Sequence, residues 1–281
     1  NIDKELCIKC RKCVIVCPAK IFVQEDVKSD IKTEYVESCI VCGHCVAACP
    51  TSAVLHSEFP EEKVHAIDYS QLPTPEQVML LCKARRSNRA FTTKPVPEKS
   101  MEMILEAAHR APTGSNTQHV KFMEITNPEK LRLLSDFTMG VFGSALKKLK
   151  NPLLRPIIKL AMPDALKYVP TFERMQKEYA KGEDGILRKA TAVIFIYTPK
   201  RTRMGVLDAN LAYQNGSLMA ESLGVSQFYT GYILNAINMK KGKLEKLLGI
   251  DGEIQAGMAM GMPSFHFPNY IDKKDIELIS N

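Results

Sequence analysis

Eight cysteines fall in two runs, "CIKCRKCVIVCP" from residue 7 and "CIVCGHCVAACP" from residue 39, and a ninth stands apart at residue 82. Each run spells CxxCxxCxxxCP. Three thiolates at that spacing can wrap one cube of iron and sulfide, because each two-residue spacer turns the backbone enough to return the next sulfur to the same centre. The fourth cysteine lies three residues on, and Pro18 or Pro50 then ends the loop and sends the chain away. In two-cluster arrangements the fourth cysteine serves the other cluster. The runs therefore predict one [4Fe-4S] cluster on Cys7, Cys10, Cys13 and Cys49, and a second on Cys39, Cys42, Cys45 and Cys17. Structural zinc competes for such residues, but zinc sites usually take ligands in pairs split by a longer spacer. A disulfide framework would spread its pairs across a small secreted domain. Gly43 suits a tight turn beside the sulfurs. His44 is surplus to a site that four cysteines fill, and Cys82, on an apolar stripe with Val78 and Leu81, is expected to be a buried core thiol.

A second group suits an anion. "RRSNRAF" sets Arg85, Arg86 and Arg89 around Ser87, a dense donor set of the kind that grips a phosphate monoester through planar, two-pronged guanidinium contacts. The competing reading is a solvated basic helix end favoured by the helix dipole.

The elements that position these residues can be read from local signals. Thr74 as cap, Pro75 at the first helical position and Gln77 three residues after the cap start a helix that should run to about Ala84 and deliver the arginines at its end. A second helix is expected over 97–111. The loop "PTGSNTQ" (112–118) leads from it into a strand "VKFMEI". Strands are also expected at 191–199 and 255–263, with a long, mostly apolar helix over 205–225. The chain has 281 residues, 45% of them hydrophobic and 25% charged, which suits one large core plus a satellite domain. Its net charge of +7 is uneven: residues 1–60 carry seven Lys/Arg against eight Asp/Glu, the remainder 31 against 23. No helix-turn-helix, zinc-finger or RNP-like pattern accompanies the basic part, so nucleic acid is not expected as a partner. The longest apolar runs, such as "AVIFIY" at 192, are strand-sized, so a membrane span is not expected either. The opening "NIDKELC" has neither a basic nor an apolar leader region, and a cytoplasmic protein is expected.

The two cysteine runs with their internal repeat make residues 1–60 resemble a bacterial-type dicluster ferredoxin. The pairing of RRSxRxF with a following APxxxNxQxxxF makes residues 75–265 resemble the FMN-dependent nitroreductase family, and ferredoxin fused ahead of nitroreductase is a known arrangement in that family. The resemblance implies an α+β chain: a ferredoxin-like domain (1–60), a linker (61–74), and a nitroreductase-like domain (75–281) whose mostly antiparallel sheet is packed with helices. It also implies that Arg85, Arg86, Ser87 and Arg89 hold the FMN phosphate and ribityl chain. Pro112, Thr113, Gly114 and Asn116 would approach the same flavin from the other subunit of a homodimer, and Thr230 and Gly231 would lie by the isoalloxazine ring. Where the family often has Lys or Arg after a GYP-like turn, this chain reads "GMPSFHFPNY", leaving His266 as a substitute or as a packing residue. The segment 142–182 falls where the family builds a lid or dimer arm. The implied activity is an oxidoreductase in which the clusters relay electrons to FMN and a small planar organic acceptor, such as a nitroaromatic or quinone, is reduced. The donor would be an external ferredoxin or NAD(P)H. Reverse flow and a non-enzymatic carrier subunit are the alternatives. No catalytic side chain is singled out.

Overall fold

Residues 1–279 are described by a computed structural model. In it Asn1–Pro73 together with Gly114–Gln118 form one unit, and the rest of the described chain forms another. The break at Pro73 falls at the end of the segment expected as linker, in which Glu61–Lys63 and Tyr69–Gln71 are single 3-10 turns.

The first unit repeats itself. Helix α1 (Lys12–Val16) precedes a two-stranded antiparallel ribbon of β1 (Phe22–Val23) and β2 (Lys32–Thr33), and α2 (His44–Ala47) repeats α1 in the second run. The backbone takes left-handed φ at Lys9, Arg11 and Lys20, and again 32 residues later at Val41, Gly43 and Ser52. These turns fold each cysteine loop back on itself. At Gly43 the left-handed φ of 73° comes with a close neighbour, since an added Cβ would lie 3.2 Å from the Phe59 ring, so both conformation and space favour glycine there. The core is small, built from Ile21, Phe22, Ile31 and Val54 around Cys13 and Cys45.

The second unit opens with α3 (Pro75–Ala84), started by the expected capping box between Thr74 and Gln77. Helix α4 (Glu98–His109) leads to the edge strand β3 (Lys121–Ile125), followed by α5 (Pro128–Lys150), α6 (Arg155–Ala161) and α7 (Val169–Ala180). Then come β4 (Ala192–Thr198), α8 (Gly205–Ser222), β5 (Ser226–Tyr229), α9 (Gly231–Met239), α10 (Lys243–Leu248) and β6 (Glu253–Gly261). The strands form one antiparallel sheet in the order β3-β4-β6-β5. Alternate residues of β4 serve two cores: Val193 and Phe195 join Phe142, Phe172 and Ile233, while Ala192, Ile194 and Ile196 join Ile104, Ala209 and Met258. Helices thus cover both faces, and β4 reads as an unbroken apolar run for that reason. Segment 142–182 folds back on α5: Phe142 stacks on Phe172 with centroids 4.7 Å apart, and Gln176 Nε2 donates to the Met139 carbonyl at 2.9 Å. Leu153, Ile157 and Leu160 stay exposed on this segment.

One expectation is corrected here. Cys82 is exposed, not buried. No residue of α3 is buried, and Val78, Met79 and Leu80 are 45–57% exposed. Of the stripe that suggested a core face, Leu81 is half-buried, while Val78 and Cys82 stay exposed. Among the described residues no helix is long and apolar enough to cross a membrane.

Candidate functional site

The cysteines of the first unit separate by cavity. Cys7, Cys10, Cys13 and Cys49 line one; Cys17, Cys39, Cys42 and Cys45 line another of about 470 Å³. Each cavity takes three cysteines of one run and the last of the other. All nine cysteines of the chain are free of disulfides. Among the described residues no three His, Cys, Asp or Glu side chains close around a single metal ion, whereas the sulfurs of a four-iron cube stand further apart than the ligands of one ion.

Backbone donors face several of these sulfurs. Ile21 N donates to Cys17 Sγ at 3.3 Å and, 32 residues on, Ala53 N donates to Cys49 Sγ at 3.2 Å. Val41 N donates to Cys39 Sγ at 3.4 Å. Burial pushes the Cys13 and Cys45 thiols up. Burial also opposes ionisation of Cys49, but hydrogen bonds from the backbone of Thr51, Val54 and Ala53 and from the Thr51 hydroxyl outweigh it, leaving that thiol below its usual value. His44 heads α2, and the histidine beside a sulfur is instead His56, with Nε2 3.7 Å from Cys39 Sγ. Its Nδ1 accepts from Glu58 N at 3.1 Å, so a neutral ring carries its proton on Nε2, toward the sulfur.

In the second unit the arginine segment leaves α3 through a tight turn in which Asn88 N donates to the Arg86 carbonyl at 3.0 Å, and Ser87 bridges to Gln227 of β5. Arg85 and Arg89 both act on the Tyr213 phenol, and Arg85 acts on Glu221 as well. Arg86 lies over the Phe267 ring at 5.4 Å, in a cavity of about 210 Å³ that it shares with Glu221, His266 and Tyr270. The structure thus does not gather the three guanidinium groups into one cradle. Arg89, over Phe228 at 5.4 Å, lines a larger cavity of about 690 Å³ together with Arg188, Tyr229, Thr230 and Gly231. The Thr230 N–H is engaged by the Gly257 carbonyl at 3.0 Å. Gly231 is the first residue of α9, where a helix leaves its backbone donors free. Buried Asn88 fixes the loop, its Nδ2 donating to the Phe265 carbonyl and its Oδ1 accepting from Ala90 N.

The loop 112–118 divides. Pro112 and Thr113 stay with the second unit, whereas Gly114 and Asn116 group with the first, and Asn116 Nδ2 donates to the carbonyls of Ile40 and Val41 at 3.2 and 2.7 Å. Sequence reasoning missed Arg188, which sits at a left-handed φ of 54° about a hundred residues from Arg89 with no local motif to mark it. It also passed over Asn88, plainly visible between the arginines.

Residues 82–262 match the family model described as the nitroreductase family. The chain belongs to the nitroreductase family. Residues 1–50 match the model of a 4Fe-4S dicluster domain, so this nitroreductase is an oxidoreductase with an iron–sulfur domain ahead of its family domain, as the sequence resemblance implies. Solved structures agree in fold. A nitroreductase with bound FMN from Bacteroides fragilis is 18% identical with a TM-score of 0.52, over 73% of this chain and 99% of that one. Another with bound FMN, from Desulfitobacterium hafniense, is 18% identical with a TM-score of 0.53, over 72% and 97%. An FMN-dependent nitroreductase from Clostridium difficile is 18% identical with a TM-score of 0.50, over 74% and 100%. At this identity the likeness is one of fold, and the α+β class of the second unit is that of these nitroreductases.

Proposed function

We propose that this nitroreductase holds two [4Fe-4S] clusters and one FMN per chain, and passes electrons from the clusters through the flavin to a small planar organic acceptor of the nitroaromatic or quinone class. The observation that carries the reading is the presence in one chain of two four-cysteine cavities and a separate 690 Å³ cavity lined by arginine and aromatic side chains. When bound, the clusters supply single electrons and FMN stores them in pairs. Cys7, Cys10, Cys13 and Cys49 would hold one cluster, and Cys39, Cys42, Cys45 and Cys17 the other. The N–H groups of Ile21, Val41 and Ala53 soften the charge on their sulfurs.

The large cavity has the size and lining of a small-ligand site, and its chemistry fits a flat aromatic anion: Arg89 and Arg188 supply positive charge, while Phe228, Tyr229 and Tyr232 supply apolar walls. Arg85 and Arg89, with Ser87 between them, are the phosphate donors in this reading, and the Gly231 N–H is the backbone donor at the ring end. A homodimer agrees with the uncovered apolar face of α3. Clustered free thiols suit a reducing compartment such as the cytoplasm.

The test is anaerobic purification followed by assay with reduced ferredoxin or NAD(P)H against a panel of nitroaromatics and quinones. Roughly eight irons and one FMN per chain are expected, with turnover of at least one acceptor. Stoichiometric zinc with little iron, or a full panel without turnover, would overturn the reading.

A further inference from the structure

The resemblance makes Asn116 a flavin contact across a subunit interface; within its own chain the side-chain amide has a second engagement. Its Nδ2 donates to both carbonyls of the Cys39–Cys42 spacer, Val41 at 2.7 Å and Ile40 at 3.2 Å. All of these residues belong to the first unit. The Ile40 carbonyl and the Val41 N–H are two ends of one peptide group, and that N–H donates to Cys39 Sγ at 3.4 Å. An amide that accepts a hydrogen bond at its oxygen is polarised and donates more strongly through its nitrogen. The same turn holds Val41, a β-branched residue, at φ 52°, a conformation that persists only where its surroundings enforce it. Asn116 is itself held left-handed at φ 54°, with Ser115 at 52° and Gln118 at 48°, so a strained loop presents the amide to a strained turn.

We propose that Asn116 is a positioning residue for the cluster of Cys39, Cys42, Cys45 and Cys17, holding the Ile40–Val41 peptide so that its N–H points at the Cys39 sulfur and thereby setting that cluster's reduction potential. The inference rests on the reading above that these cysteines bind a cluster. Donors to the thiolate sulfur favour the reduced, more negative cluster, so they raise its potential. Loss of the Asn116 amide weakens one such donor and lowers the potential of this cluster alone.

The experiment is an anaerobic redox titration of the full-length holoprotein followed by EPR, comparing wild type with Asn116→Ala and with Asn116→Leu, which keeps the bulk and removes the donors. The signals are assigned with Cys49→Ser, which perturbs the other cluster. In both Asn116 variants the Cys39 cluster should show a lower midpoint and a several-fold smaller reduced fraction at its wild-type midpoint, while the other cluster and the iron and flavin contents stay unchanged. Resonance Raman of the oxidised protein gives a second measure, since its Fe–S(Cys) stretches should move as the N–H···S bond weakens. Unchanged midpoints with reduced flavin content would instead make Asn116 a flavin contact and overturn the inference, as would an equal shift of both clusters. Wild-type protein without cluster signals would remove the underlying reading itself, which the titration of wild type detects before any variant is compared.

Discussion

Cys49 belongs to the second run by sequence and to the first run's cavity by position. Cys49→Ser should therefore damage the cluster of Cys7, Cys10 and Cys13 and spare that of Cys39, Cys42 and Cys45. EPR of the reduced protein would show the reverse if each run served itself. Among the arginines, the cavity each one faces matters more than closeness in sequence. Each charge-assisted phosphate contact contributes about 1.5–3 kcal/mol, so Arg85→Ala or Arg89→Ala should weaken FMN binding tenfold or more. Arg86→Ala, facing the smaller cavity over Phe267, should change it far less; equal losses in a flavin-binding titration would make Arg86 an equal phosphate contact. Tyr213 gives a pH signature. Burial pushes its phenol up to about 12, with Arg85 and Arg89 pulling it back and Tyr229 adding to the rise. The neutral phenol is the favoured form in the fold, so its contribution is whole below pH ~10 and is lost as the pH climbs toward about 12. Tyr213→Phe strands the buried Gln227 partner of its 2.8 Å hydrogen bond, which should cost about 1–3 kcal/mol at pH 8. Denaturation curves should also show a flatter alkaline decline in the variant than in wild type. The motif residues were legible because ligand spacing is a local property; Arg188 and His56 were not, because each meets its site only through folding.

At the scale of elements, the signals that resolved were those written in adjacent residues. The Thr74 capping box fixed the start of α3, and the apolar run at 192 fixed β4. What periodicity cannot state is which apolar stripe finds a cover, and Cys82 on the exposed face of α3 is the result. Strand β6 carries a constraint of the opposite kind. A Cβ on Gly257 would approach Thr230 Oγ1 and come within 2.9 Å of the Phe195 ring, so the strand can lie against the turn before α9 only because residue 257 has no side chain. Gly257→Ala should cost on the order of 1–3 kcal/mol by overpacking, read as a lower midpoint in thermal unfolding. Because Phe195 belongs to the rigid core, Thr230→Ala in the same chain should restore part of that loss but not all of it.

At the scale of the whole molecule, the two units hold their stability differently. The second has extensive cores on both faces of its sheet, while the first closes a few apolar side chains around its cysteines. So small a core needs its metal as a staple. Removing iron should abolish one calorimetric transition and leave the other at its original temperature; loss of both would mean that the larger unit depends on the clusters as well. The five residues Gly114–Gln118 give this arrangement a further consequence. The chain passes from the first unit to the second at Pro73, returns at Gly114 and leaves again after Gln118, so the first unit is not a module that a single recombination event can exchange. A chimera joined at Pro73 would receive a foreign cysteine loop opposite a resident Asn116 shaped for the carbonyls of Ile40 and Val41. Inheritance of a new iron–sulfur module must carry that distant loop with it, or rebuild it.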